Sequence, residues 1–386
     1  MKQKLNIAVI GKGFMGKLHS HMWRTVDKIF DVDFEPVLKV AVGTDEAATK
    51  AFAERWGFES YTTDWKAAIE RDDVDVIDIV TPTYLHKDMV LYAAKHKKHI
   101  FCEKPFSLTV ADAEEMAAAC DAAGVLHYLN HNYRRVPAVT YAKQLIDEGK
   151  IGEVYHFRGA YLQDWIMDEN FPLTWHLRKE TAGGGPLYDL ASHSIDLARY
   201  LVGEVESVYA DMRTFISDRP LPGAGSATFS KGTGEAAAMG KVTVDDAAFI
   251  VMDFVGKRAI GSCDVSRFAG GRRNYNYFEI YGSKGSLTWN LERMDELNYL
   301  SNSDAEAEQG FRNIMATYGS HPYTGSWWAP GHIVGYETTF VNAAYDYLTA
   351  LSKGEQITPN FHDGVNIIKI LDACKKSAAT GAKVKV

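Results

Sequence analysis

At 386 residues the chain exceeds what a single hydrophobic core usually supports, so two domains are expected. Its 46% hydrophobic and 24% charged residues match ordinary globular proteins and exclude disordered and fibrous classes. The 42 Lys and Arg against 50 Asp and Glu leave a net charge of -8 with no block of like charge, which argues against nucleic acid and anionic membrane as partners.

The first apolar run, Leu5–Ile10, breaks at glycines before it reaches the length of a signal-peptide core or a membrane span. A cytoplasmic location is expected. Further short apolar runs follow at Val37–Val42, Val76–Val80, His99–Cys102 and Val125–Tyr128. Between them lie good helix formers, Ala47–Trp56, Lys87–Lys95 and Ala111–Ala123. This alternation predicts an α/β domain over residues 1–128, with a doubly wound parallel sheet and crossover helices.

Residues 129–386 are expected to form a second, α+β domain with a large, mainly antiparallel open sheet. Its strands are predicted at Val154–Leu162, Val205–Phe215, Asp246–Phe254, Arg258–Arg267, Tyr275–Tyr281 and Gly285–Leu291, with turn residues at Gly256-Lys257 and Ser283-Lys284-Gly285. Leu221–Gly240, rich in Gly, Ala and Ser, reads as a surface loop. A helix is predicted over Tyr336–Ser352, and another, Phe361–Thr380, is expected to return to the first domain. Four scattered cysteines, Cys102, Cys120, Cys263 and Cys374, form no CxxC pair; they read as buried thiols, and no metal site is expected.

Gly11, Gly13 and Gly16 form a GxGxxG pattern directly after the first strand and before a helix. In that context the first glycine permits the tight turn, the second lets a pyrophosphate approach, and the third allows helix-to-strand packing. The loop, with Phe14 and Met15, marks a Rossmann domain that binds NAD or NADP. The second strand runs into Gly43-Thr44-Asp45. If it ends at Val42, glycine stands where an acid usually reads the ribose, leaving room for a 2′-phosphate beside Lys12 or Thr44. If it runs further, Asp45 reads the ribose, so the choice of dinucleotide stays open.

About ninety residues on, Ile100-Phe101-Cys102 leads into Glu103-Lys104-Pro105, after an earlier strand that ends at Thr81-Pro82-Thr83 with His86 beyond it. With Asn132-Tyr133-Arg134 and the segment Gly183–Asp196, this pattern resembles the family of glucose-fructose oxidoreductase, inositol dehydrogenase and MocA over nearly the whole chain. The resemblance implies that Thr81, Pro82, His86, Glu103, Lys104 and Asn132 join the cofactor site. Lys104, at the carboxyl end of a strand, suits stabilising charge on a reacting hydroxyl. Asp189 and His193, four apart, fall on one face of a predicted helix, and family members place their catalytic Asp and His there. Histidine suits the base because its unperturbed pKa of about 6.5 lies close to working pH.

Tyr161, Gln163, Asp164 and Trp165, together with Trp175 and Arg178, offer the aromatic and hydrogen-bonding groups that meet carbohydrate rings. Tyr133, Arg134 and His332 join them as candidate substrate contacts. The pattern most resembles enzymes that oxidise a ring hydroxyl of neutral pyranoses, including anhydrosugars such as levoglucosan, with hydride passing to NAD(P). An inositol dehydrogenase would share every catalytic residue named, and a non-catalytic dinucleotide sensor need not retain Lys104, Asp189 and His193 together. The resemblance also implies a homodimer or homotetramer built through the C-terminal sheet.

Overall fold

The structure, a computed structural model, describes residues 2–222 and 238–386. It divides into two compact units, Met1–Val136 with Thr317–Asn366 and Pro137–Ala316 with Ile367–Val386. In chain order the first contains β1 (Gln3–Ile10), α1 (Phe14–Ile29), β2 (Phe34–Val42), α2 (Glu46–Trp56), β3 (Ser60–Thr62) and α3 (Trp65–Glu70). It continues with β4 (Val76–Ile79), α4 (His86–Lys95), β5 (His99–Cys102), α5 (Val110–Ala123) and β6 (His127–Leu129). The second contains α6 (Pro137–Asp147), β7 (Val154–Leu162), α7 (Lys179–Ala182), α8 (Pro186–Asp189), α9 (Ala191–Leu201), β8 (Val205–Arg213), β9 (Asp218–Pro220) and β10 (Met239–Lys241). Then come β11 (Ala247–Phe254), β12 (Ile260–Ser266), β13 (Tyr275–Gly282), β14 (Gly285–Asn290), β15 (Glu296–Ser301) and β16 (Arg312–Met315). α10 (Thr338–Lys353) belongs to the first unit, α11 (Phe361–Thr380) begins there and ends in the second, and β17 (Val384–Lys385) closes the chain.

The first unit is a six-stranded parallel sheet in the order β3-β2-β1-β4-β5-β6. Ile7, Val9, Val76 and Ile77 are fully buried, as a sheet covered on both faces requires. The order reverses between β1 and β4, which makes the carboxyl ends of those strands the ligand-binding edge. α10 completes this unit: its Phe340, Val341, Ala344 and Tyr347 join Trp23 and Val26 of α1, and Phe30 just after it, in one buried cluster. Burying side chains of this size contributes about 1.5–3 kcal/mol each. This is why residues 317–366 belong with the dinucleotide domain, although a boundary at residue 128 assigns them to the second.

In the second unit a nine-stranded sheet runs β16-β15-β14-β13-β7-β12-β11-β8-β17. Every pair is antiparallel except β7 with β12, which run parallel from Ile260 beside His156 to Ser266 beside Leu162. α6 and α9 pack on one face of it, and α9 is buried from Ala191 to Arg199. Along β11 burial alternates, leaving Phe249 and Val251 exposed. Of the expected loop at 221–240, residues 223–237 lie outside the described residues, while Met239 and Gly240 pair with β9. All four cysteines are free and buried.

The core supplies one test. The Tyr347 hydroxyl is buried without a hydrogen-bond partner among the described residues, and burial holds its pKa well above the usual range. Tyr347→Phe should leave the melting temperature unchanged or raise it, whereas Tyr347→Ala should cost about 3–5 kcal/mol, both read by thermal and urea unfolding.

Candidate active site

The loop between β1 and α1 is glycine by steric necessity. Gly11 has φ +125°, and a Cβ there would stand 2.7 Å from the Val80 carbonyl oxygen. A Cβ on Gly16 would come within 2.4 Å of the Gly11 carbonyl oxygen. A Cβ on Gly13, by contrast, meets nothing within 4 Å, and α1 carries no acid in its first turn. No side chain caps α1, and the space beside Gly13 at its start is open, which fits a dinucleotide pyrophosphate. Phe14 is exposed and Met15 half-buried beside it.

β2 ends at Val42, so Gly43 holds the position that discriminates between dinucleotides. The Lys12 stem lies across it: its Cδ and Cε are 3.0 Å from where a Gly43 Cβ would stand. Thr44 is exposed. Asp45 has another task, since one of its oxygens caps α2 by accepting from the Ala48 N–H at 2.7 Å.

The Glu-Lys-Pro turn rests on a buried charge network. Glu103 accepts from Asn130 Nδ2 at 2.7 Å and lies 3.0 Å from His19 Nε2, while its other oxygen accepts from the Lys104 N–H at 3.1 Å. His19 Nδ1 is 2.9 Å from Asp78, whose second oxygen accepts from Trp23 Nε1 at 2.8 Å. Burial alone would lower the His19 pKa, but the charge and hydrogen bond of Asp78, then those of Glu103, overcome it and raise it to about 9. Burial pushes the Glu103 pKa up, and His19 with Lys104 and Asn130 brings it net down. Lys104 itself is half-buried. The sequence reading missed His19; the signal was Asp78 inside the apolar run Val76–Val80, an acid that needs a buried cation.

Several expected contacts in this unit are already engaged. His86 is fully buried with its ring nitrogens on the carbonyls of Thr81 (3.0 Å) and Phe106 (3.2 Å), so both are engaged within the turn. Asn132 Nδ2 donates to Thr339 Oγ1 at 2.8 Å, Tyr133 is buried, and buried Arg134 pairs with Asp363 at 3.2 Å. His332 is exposed, with Nδ1 on the Ala329 carbonyl at 3.0 Å. Asp121, His127 and His362 have ligand atoms within 4.8 Å of one another. However, His127 Nδ1 accepts the Phe361 N–H, so Nε2 carries the proton toward Asp121 and offers no lone pair to a metal.

In the second unit the turn at Gly183–Gly185 is fixed by Asp245. Its carboxylate accepts from the Gly185 and Leu187 N–H groups, both at 2.8 Å. A Cβ on Gly185 would lie 1.8 Å from the Asp245 carbonyl oxygen, so close approach demands glycine here. α8 ends at Asp189 and α9 begins at Ala191, with Leu190 between them in the αR region. Asp189 and His193 thus sit on two successive helical segments and not on one regular helix. His193 is 5% exposed, and its ring lies 5.8 Å from that of Tyr161.

Behind them runs a chain of contacts. Tyr161 Oη donates to Asn274 Oδ1 at 2.7 Å and Gln163 Nε2 to the same oxygen at 3.0 Å, while Trp165 Nε1 donates to Gln163 Oε1 at 2.8 Å. Trp165 also sits edge-on to His176, on which Trp175 stacks at 3.7 Å. Arg178 is half-buried. Asp164, expected to meet substrate, is paired with Arg273 at 2.7 Å and accepts from the Gly271 N–H at 3.0 Å.

Two family profiles cover this chain: an oxidoreductase family with an NAD-binding Rossmann fold over residues 5–131, and the GFO/IDH/MocA C-terminal domain over residues 139–288. The chain is 41% identical to levoglucosan dehydrogenase of Pseudarthrobacter phenanthrenivorans, over all of this chain and 98% of that protein. The chain belongs to the Gfo/Idh/MocA family of oxidoreductases. Myo-inositol 2-dehydrogenase of Thermotoga maritima is more distant, at 26% identity over 99% of this chain and 98% of its own. A solved levoglucosan dehydrogenase in complex with NADH and levoglucosan superposes with a TM-score of 0.93 at 40% identity, covering 100% of both chains. As a family member the chain is an NAD-dependent oxidoreductase acting on CH–OH, and no described helix is long and apolar enough to cross a membrane.

The His19 network makes a signed prediction. Its pKa is raised on folding, so the stability it contributes is complete below about pH 6.5 and is lost as pH climbs through about 9. In denaturant melts the stability gap between wild type and His19→Gln should therefore be largest near pH 6 and shrink toward pH 10. A gap that widens with pH would refute the assignment of the charge to His19.

Proposed function

We propose that the enzyme oxidises a ring hydroxyl of a neutral pyranose, with 1,6-anhydrosugars of the levoglucosan type as the favoured class. The observation that carries this reading is the Asp189–His193 pair framed by Tyr161, Gln163 and Trp165, in a chain that matches levoglucosan dehydrogenase end to end. In the second unit His193 takes a hydroxyl proton onto a ring nitrogen and Asp189 accepts a hydrogen bond from a neighbouring hydroxyl; in the first, Lys104 is the group whose ammonium suits stabilising charge on oxygen. The bound dinucleotide supplies the hydride acceptor. Cyclitols are the second reading, favoured by full-length relatives named as inositol dehydrogenases.

Gly43 places no carboxylate at the discriminating position and Lys12 lies over it, which supports use of NADP beside NAD. The exposed Tyr209, Phe249, Val251 and Ile260 on the second unit's sheet support self-association through that sheet into a dimer or tetramer. The free thiols and a dinucleotide cosubstrate suit the cytoplasm.

A 340 nm screen of NAD and NADP against pyranoses, anhydrosugars and inositols tests the whole reading. The expected result is activity strongest on an anhydropyranose; activity confined to inositols would replace the first reading by the second, and none on either would end both. Lys104→Ala should lower kcat by about 10²–10⁴-fold while NADH still binds, as followed by its fluorescence. Lys12→Glu should lower kcat/KM with NADP at least about 10-fold more than with NAD.

A further inference from the structure

Arg267 follows β12 and is 1% exposed, yet the carboxylate it serves is not buried. Its Nη2 donates to Asp189 Oδ2 at 2.7 Å, across a pair whose side chains are 1% and 31% exposed. Its guanidinium lies 5.1 Å from the Trp165 ring centroid, and its backbone N–H donates to the Asp246 carbonyl at 3.2 Å. Nε and Nη1 have no hydrogen-bond partner among the described residues. A cation withdrawn from water with donors unspent stabilises a fold poorly, and an apolar side chain of similar volume would usually serve packing as well or better. The arrangement makes sense if the ion pair serves Asp189. Asp245 and Asp246 also feel the Arg267 charge, but the Asp245 carboxylate is spent on the Gly185 and Leu187 N–H groups, and Asp246 turns Oδ2 to the Phe215 and Ile216 N–H groups while its buried Oδ1 has no hydrogen-bond partner among the described residues; the carboxylate that the Arg267 side chain bonds is that of Asp189.

We propose that Arg267 is a positioning residue for the substrate site: it anchors the inner oxygen of Asp189 and so fixes the carboxylate that receives a sugar hydroxyl. Trp165 holds the guanidinium in place. Trp165 is held in turn by Gln163, and Gln163 shares Asn274 with Tyr161, whose ring lies against His193. Arg267 thereby ties Asp189 into the same frame as the base. A polar chain of this kind transmits no charge to His193; it sets the angle at which acid and base are presented.

The inference rests on the reading of Asp189 as a sugar acceptor, and the experiment separates the two. Wild type, Arg267→Lys, Arg267→Met, Asp189→Asn and the Asp189→Asn/Arg267→Met double variant are compared with the best sugar of the panel. Melting temperature and NADH affinity check that each is folded. Arg267→Met should lower kcat/KM for sugar about 30-fold or more while KM for the dinucleotide stays within about twofold. Arg267→Lys should recover part of the loss, since it keeps the charge but not the planar fork. In the Asp189→Asn background Arg267→Met should cost less than about twofold further, because the group it positions is gone. Sugar affinity for the NADH-saturated enzyme, by calorimetry, should fall in parallel.

An active wild type with Arg267→Met within about threefold of it overturns this inference alone, as does a full additive loss in the Asp189→Asn background. A wild type that oxidises no sugar or cyclitol overturns the inference together with the reading beneath it. Should Arg267→Met fail to fold, Arg267→Lys alone and in the Asp189→Asn background decides by the same cycle.

Discussion

The first unit is organised around one buried cation. His19 on α1 spans Asp78 in the middle of β4 and Glu103 at the end of β5, and it is wholly shielded from water. Each carboxylate taken alone into that interior would carry a penalty of several kcal/mol. The imidazolium between them makes both tolerable only if α1, β4 and β5 keep their register. The network therefore ties the dinucleotide-loop helix to the turn that bears Lys104. Trp23 and Asn130 satisfy the remaining carboxylate lone pairs, so the cluster has a donor for almost every acceptor.

The second unit solves a related problem with an anion. Asp245 is buried and its carboxyl is pushed up by burial, but two backbone N–H groups at the start of α8 draw it back toward the charged form. Its position demands glycine at 185, and the turn so fixed leads directly into Asp189 and His193. A side chain at 185 would clash with the Asp245 backbone and so disturb the start of the segments that carry Asp189 and His193.

Much of this was legible in the residues. The βα alternation placed five of the six Rossmann strands, β4 and β5 within a residue and β1, β2 and β6 two or three residues off at their starts, because strands buried on both faces are continuous apolar runs that end at turn formers. The sequence around Asp189 and His193 was read as one helix, and the break at Leu190 that puts them on two successive segments left no mark in composition. α3, α6, α7, β9, β10 and β15 went unread, as did β3, β16 and β17, which are short edge strands whose pairing comes from tertiary neighbours. What spacing could not give was commitment. Asp164, Arg134 and Asn132 have the right chemistry for ligands, and in the structure they are engaged by partners far away in sequence. Arg267 and His19 were missed for the converse reason: the carboxylates they bond, Asp189 for one and Asp78 with Glu103 for the other, lie far away in sequence.

Taken separately, the two units show the same construction. A half-exposed charged side chain of the proposed chemistry, Lys104 or Asp189, stands on a buried group of opposite sign, Glu103 or Arg267. Lys104 lies in the Coulomb field of Glu103, which also accepts its backbone N–H. Asp189 gives one oxygen to Arg267. In water such pairs contribute little, since side-chain entropy and screening cancel the attraction. With one partner buried, that partner has lost its alternatives and cannot follow solvent, so the exposed partner is held at low cost in its own freedom. Oxidation of an alcohol places charge on oxygen for an instant, and groups already oriented need not reorganise to meet it. The buried ions are thus better explained by the order they impose on Lys104 and Asp189 than by the stability they add.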